Sequence, residues 1–430
     1  MAKGSFGFPV SADRSLALGE VHARPYPLIS SPRVIVQLAF MTDGGSTVDN
    51  AVLAQLSRAR GVAAPQADAR YYTMPWGNGS LRWERHTEFS TYFYEGPVPR
   101  SFGGEIADHP FGDGFSPPGN LIAGVRLEVR KWTEAAEKAV LSFDAASLCF
   151  SEVENGMAAA ATDFRQDKDG LTRILLLDKG LAPARTGALV QRLIEIETYR
   201  TLAMLALPLA NSLSPKTRRI EDGLAQITQR MQQDVKTGSD DLLGDITTLA
   251  AELEADAAAS LYRFGASRAY DGIVQERIAS LNEVAVSGYE TWGAFLQRRL
   301  APAMRTCRSV EERQANLSRK LARATALLRS WVDLQLERQN SQLLSSMNTR
   351  ARLQLRLQQT VEGLSVAAVS YYVVGLLGYI FNAAQDAGIP IGATAMKAIS
   401  VPFVVLLIWW IVRRIRRGHT DIAKKPAKTA

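Results

Sequence analysis

From Leu364 to Ala384 the chain reads LSVAAVSYYVVGLLGYIFNAA, 21 consecutive residues without a charged side chain. At 1.5 Å rise per residue, such a run crosses a hydrocarbon layer of about 30 Å as one helix. Buried helices of soluble proteins seldom sustain it, so a transmembrane helix is expected here. A second apolar segment, Ala398 to Val412 (AISVPFVVLLIWWIV), is short by itself. It reaches spanning length when Ile391 to Met396 join it and Lys397 extends its ammonium toward the membrane surface. Trp409 and Trp410 then fall at the interface, where indole rings settle.

Two spans make a hairpin with both ends on one side. Arg350, Arg352 and Arg356 precede the first span, and Arg413, Arg414, Arg416 and Arg417 follow the second, whereas Asp386 and Lys397 are the charges near the connection. Positive residues stay on the cytoplasmic side, so both termini are expected there, with the hairpin in the inner (cytoplasmic) membrane. Met1 to Val10 holds Lys3 without an apolar core after it, so no signal peptide is expected and about 360 residues should be cytoplasmic.

Composition hides this anchor. The chain is 47% hydrophobic and 22% charged, a soluble-looking average, because the membrane character is concentrated after residue 363. The net charge of +7 is uneven too, since Lys424, Lys425 and Lys428 join the arginines in the last 18 residues. Beside a span, such a tail reads as an anchor, and no nucleic acid is expected. Cys149 and Cys307 stand outside any CxxC or Cys/His spacing, which argues against a disulfide framework or structural zinc and fits a reducing compartment.

Residues 1–180 are expected to form a cytoplasmic α/β or α+β domain. Candidate strands are Arg33–Phe40, Ala69–Met74, Leu81–Glu95, Arg126–Trp132, Ala139–Phe143 and Thr172–Leu177, with a helix over Thr47–Arg60 and a Gly/Pro-rich loop over Pro97–Asn120. Residues 181–302 read as a helical domain, with helices over Ala182–Leu207, Lys216–Val235 and Leu242–Val286. Residues 303–363 follow Pro302 and lack Gly and Pro until Gly363, predicting a stalk helix about 90 Å long. Its apolar positions Val310, Leu317, Ala324 and Trp331, with Leu321 and Leu328 between them, recur at near-heptad spacing and continue through Leu336 and Leu343 after a shift of frame. That coiled-coil-like stripe needs cover from other helices or other subunits. Transmembrane helices at 364–384 and 391–412, a loop at 385–390 and a basic tail at 413–430 complete the division.

No phosphate-binding GxxxxGK[ST], dinucleotide GxGxxG, metalloprotease HExxH or nucleophile-elbow GxSxG is present, and four histidines leave little for a multi-His metal site. The chain is therefore read as a non-enzyme with no catalytic residues and no resident cofactor. One constellation carries chemistry. In Trp83-Glu84-Arg85-His86-Thr87-Glu88-Phe89, a strand would set Glu84, His86 and Glu88 on one face, where two carboxylates beside an imidazole could bind a divalent cation or relay a proton. The same alternation is the ordinary pattern of a solvated sheet face over a packed one, which is the default reading. Within the first span, Tyr371, Tyr372 and Asn382 are polar and Gly375 and Gly378 are small, a set that fits close helix packing or the lining of a pore.

The phrases Glu20-Val21-His22-Ala23-Arg24-Pro25, Trp83 to Phe89, Glu197-Thr198-Tyr199-Arg200 and Leu357 to Ala368 together resemble a bacterial family of uncharacterised membrane-anchored proteins, domain of unknown function 3422. The resemblance covers nearly the whole chain and implies the topology above, with no activity attached. The order of cytosolic α/β domain, acidic helices, stalk, span, short loop, span and basic tail is also similar to the CorA and ZntB class of divalent-cation transporters. Val374 to Asn382 resembles the end of their first span, although their Gly-Met-Asn triplet is absent and three residues separate Gly378 from Asn382. That likeness implies a homo-oligomeric cation channel or transporter; the competing expectation is a membrane-tethered scaffold that recruits a cytoplasmic protein partner of unknown identity.

Overall fold

The computed structural model describes residues 11, 13–14, 18, 26–42, 45, 47–233, 239–387 and 392–422. The chain divides into two compact units, residues 1–326 and 327–430.

In the first unit, the described residues build a nine-stranded sheet: β1 (Arg33–Met41), β2 (Tyr71–Trp76), β3 (Gly79–Arg85), β4 (Phe89–Gly96), β5 (Asn120–Lys131), β6 (Cys149–Val153), β7 (Ala158–Gln166), β8 (Thr172–Asp178) and β9 (Val284–Ala285). The spatial order is β2-β3-β4-β1-β5-β8-β7-β6-β9. All neighbours are antiparallel except β5 and β8, which run parallel at the centre. Each half is thus antiparallel, and the two join at one parallel seam.

Central β1 shows why both faces are covered. Its RVIVQLAFM run is nearly continuous in apolar residues, the signature of a strand buried on both sides. Ile35 faces a core shared with the helix α2 (Pro183–Met204), through Leu189, Val190 and Leu193. Val36, Leu38 and Phe40 alternate to the other face and meet Val52, Leu53 and Leu56 of the helix α1 (Thr47–Arg60) with Trp83 and Tyr92. Gly187 lets α2 press against the chain before β1, since a Cβ there would lie 1.7 Å from the Pro27 carbonyl oxygen.

Beyond α2 come α3 (Ala206–Gln233), α4 (Ser239–Leu281) and the start of α5 (Trp292–Asp386), which extends from the first unit into the second. Phe264, Leu296, Met304, Cys307 and Val310 belong to the same core as the sheet residues Val125, Leu127 and Ile174. A boundary at 180/181 therefore does not separate two cores. α2 ends at Met204 and α3 begins at Ala206, which places Pro208 in the first turn of α3, where its missing N–H costs nothing; Pro215 lies inside the same helix.

The long loop at 97–119 covers β5 on the α1 side. There Glu128, fully buried, is held by Arg126 at 2.8 Å and Arg130 at 2.7 Å and accepts the Gly103 amide at 2.9 Å. Arg130 also donates to the Pro99 carbonyl at 2.7 Å. Removing one member of such a buried charge network costs about 3–5 kcal/mol, because the partner charges remain out of water.

Two sequence expectations are corrected. Leu81–Glu95 is not one strand but β3 and β4, reversed at His86-Thr87-Glu88, where the His86 amide donates to the Phe89 carbonyl at 2.9 Å. Ala139–Phe143 is not a strand: Lys138–Ser142 is a short 3-10 helix.

In the second unit, α5 continues to Asp386 and α6 spans Ala393–Ile422. Positions with partial burial on α5 (Val366, Ser370, Val373, Leu377, Phe381, Ala384) recur every three or four residues, as do Lys397, Ser400, Val404, Ile408 and Val412 on α6. Each set marks one helix face, the spacing of a helix–helix seam. The Lys397 stem lies against Gly378, where a Cβ would sit 2.5 Å from its Cε.

Candidate functional site

The second unit places its apolar side chains outward. On α5, Leu364 is 74% exposed, Leu376 64% and Ile380 61%; on α6, Phe403 is 73% and Leu406 62%. Only 11% and 6% of the most apolar stretches of the two helices are buried. A core helix would show the reverse, so these surfaces are not sealed by the described chain. Both helices are long and apolar enough to cross a membrane.

The polar residues expected in the first span separate. Gly378 packs against Lys397, whereas the space around Gly375 is open. Tyr371 and Tyr372 point outward and touch each other edge to face at 5.9 Å, and Asn382 is exposed. At the end of the second apolar stretch the Arg413 guanidinium lies 4.8 Å from the Trp409 ring and that of Arg414 5.2 Å from Trp410, each one turn apart. Two such cation–π pairs suit an interface where rings and charges both reach polar surroundings. The side chains of Arg416 and Arg417, residues 423–430 and the segment Glu20 to Pro25 lie outside the described residues.

In the first unit, the turn between β3 and β4 draws the Glu84/His86/Glu88 set apart. Glu84 and His86 line a small cavity between the sheet and α2, together with Gln37, Arg82, Gln191 and Glu195. Glu84 pairs with Arg82, whose guanidinium also lies over the Phe93 ring at 4.3 Å. His86 stacks on Phe89 with ring centroids 4.2 Å apart. Glu88 engages α4 instead: Arg263 holds it at 2.6 and 3.2 Å, and the Tyr270 hydroxyl donates to it at 2.5 Å. Burial, then the bond to Glu88, pushes the Tyr270 hydroxyl pKa up, so the phenol stays a donor.

The three side chains thus do not converge, and two of them already neutralise arginines. Among the described residues no group of three His, Cys, Asp or Glu side chains is placed to hold a metal ion. The cavity measures about 30 Å³, room for a water molecule but roughly a tenth of a small-molecule pocket. Gln37 donates to Thr198 at 3.0 Å and Gln191 to Glu195 at 2.8 Å across and beside it. The arrangement ties sheet to helix.

A second buried carboxylate escaped the sequence reading. Asp49, in the first turn of α1, accepts Trp83 Nε1 at 3.2 Å, Ser90 at 2.8 Å and Tyr92 at 2.7 Å, all on Oδ1. Only the pairing of α1 with the α1-side face of β3 and β4 reveals it, because nothing local distinguishes Asp49 from a helix-start acid.

A family model described as "Protein of unknown function (DUF3422)" matches residues 10–419. The chain belongs to that family. No curated protein and no solved structure matches it. The DUF3422 assignment agrees with the resemblance carried by the phrases at 20–25, 83–89, 197–200 and 357–368; the likeness to CorA and ZntB finds no support in these comparisons.

Proposed function

We propose that this DUF3422 protein is a membrane-tethered, self-associating scaffold, held in the cytoplasmic membrane by the α5–α6 hairpin with both termini in the cytoplasm. The observation that carries the reading is the outward display of Leu364, Leu376, Phe403 and Leu406 on two helices of spanning length. In water each such side chain forfeits about 1.5–3 kcal/mol of burial, whereas lipid covers them at no cost. Before the span, Leu336, Leu343, Leu344, Leu353 and Leu357 are also 53–67% exposed. Further copies of the chain cover these, which motivates the self-association. The first unit, with its ion-paired sheet and helices, presents the recruiting surface to a cytoplasmic protein.

Deleting residues 364–430 should move the protein from the membrane to the soluble fraction; retention at the membrane would overturn the tether. A second reading, a cation conduit through the oligomer, is favoured by Tyr371, Tyr372 and Asn382, whose polar groups face outward from a span and need polar company in lipid. Liposomes carrying the full chain would then pass cations at a rate altered by Asn382→Ala, and cation-tight liposomes would end that reading.

A further inference from the structure

Helices α4 and α5 line an open-sided cavity of about 270 Å³ within the first unit. Its lining comes as two matching sets, Phe264, Ser267, Arg268 and Asp271 from α4 and Met304, Cys307, Arg308 and Glu311 from α5. Both sets fall at i, i+3, i+4 and i+7, so each helix contributes a single face. The second position of each set is small, a serine on one helix and a cysteine on the other. Larger side chains there would interdigitate and close the gap.

The lining is graded. Phe264, Ser267, Met304 and Cys307 are buried, with Ser267 only 1% exposed. Arg268 and Arg308 are exposed, and Asp271 and Glu311 are half-buried, so charge gathers at one side. The Ser267 hydroxyl has no hydrogen-bond partner among the described residues. Ser260, two turns earlier on the same helix, returns its hydroxyl to the Asp256 carbonyl at 2.9 Å, the usual resort of a helical serine. Among the charged residues, Arg268 pairs with Glu311 and Asp271 accepts from Gln275, while Arg308 has no partner among the described residues.

We infer that this cavity binds a small amphiphile with an aliphatic body and an anionic head, of the class of a medium-chain carboxylate. Phe264, Met304 and Cys307 take the aliphatic part. The Ser267 hydroxyl and the Arg308 guanidinium supply the donors that a carboxylate accepts. The inference is independent of the membrane tether, since every residue involved lies in the first unit.

The cysteines provide the test. Cys307 lines the cavity, whereas Cys149 is sealed in the sheet at 0% exposure. Full-length protein in lipid nanodiscs is treated with methyl methanethiosulfonate, and each site is followed by mass spectrometry, with octanoate or octanol added. Access through the cavity makes Cys307 react roughly tenfold faster than Cys149. Octanoate at several times its dissociation constant slows Cys307 by roughly fivefold and leaves Cys149 unchanged. Octanol protects less, and Arg308→Ala removes the advantage of octanoate when protection is expressed relative to that variant's own unprotected Cys307 rate. Equal reactivity of the two cysteines, no protection by octanoate, or equal protection by octanol would each overturn the assignment.

Discussion

Replacing Leu376 and Leu406 with arginine separates lipid from water by the sign of the effect. Both side chains point outward from the middle of their apolar stretches, 64% and 62% exposed. Were these helices solvated, an exposed leucine-to-arginine change would alter stability by within about 0.5 kcal/mol and improve solubility. In a bilayer the cost is the difference between leucine at about −0.5 kcal/mol and arginine at about +3, so roughly 3–4 kcal/mol per site and a factor of about 10²–10³ in insertion. The two sites lie on different helices, and their effects add to about 6–8 kcal/mol if the arginines do not share a partner. The fraction of protein that stays in membranes after alkaline carbonate extraction should fall for either single variant and nearly vanish for the double. Unchanged extraction with equal or higher soluble yield would refute the reasoning, because the exposed leucines would then be facing water.

Other outcomes follow from the first unit and the leucine stripe before the apolar stretch of α5. Asp49→Ala strands the Trp83, Ser90 and Tyr92 donors in the core; at about 1 kcal/mol or more each, the loss is roughly 3 kcal/mol and lowers the melting temperature by about 6–12 °C, whereas Asp49→Asn keeps an accepting oxygen and loses much less. Equal melting of the two variants in a thermal denaturation series would contradict the bonding. Burial, helped by Glu290 and Glu283, pushes the Cys149 thiol from its ordinary 9.0 up to about 12. The folded chain therefore holds a proton that the unfolded chain releases, so the stability from this group is complete below about pH 9 and declines as pH rises toward about 12. Cys149→Ala should remove that part of the alkaline slope in denaturant titrations, and an unaltered slope would refute it. Leu343→Cys, at an outward position of the stripe, should form a disulfide-linked pair of chains in oxidised membranes if copies associate there; a purely monomeric product would count against self-association.

The helices were legible because their periodicity is local. Thr47–Arg60 carries its own apolar face, and the stretch after Pro302 contains no proline to end a helix, which is why α5 runs through Gly363 into the apolar segment. The sheet was harder wherever tertiary packing chose the residue type. β7 begins with four alanines, a helix-favouring run, yet Ala158 and Ala160 face one core and Ala159 and Ala161 another, so small side chains fit a strand covered closely on both sides. The β3–β4 reversal lacks glycine and proline; its aromatic and polar residues read straight on as strand, and the expected Glu84/His86/Glu88 face disappeared with that reading. The Arg126, Glu128 and Arg130 alternation in β5 looks like a solvated face, and only the covering loop at 97–119 shows it to be an interior charge network. In the second unit, the apolar residues were evident but their direction was not, and the outward orientation of Phe403 and Leu406 is what the structure adds.

The central claim is tested most directly by fractionating cells that contain the full chain. Detergent-free lysis and ultracentrifugation should leave the protein in the membrane pellet, resistant to carbonate and high salt and released only by detergent. Full-length protein recovered in the high-speed supernatant would contradict the account at its root.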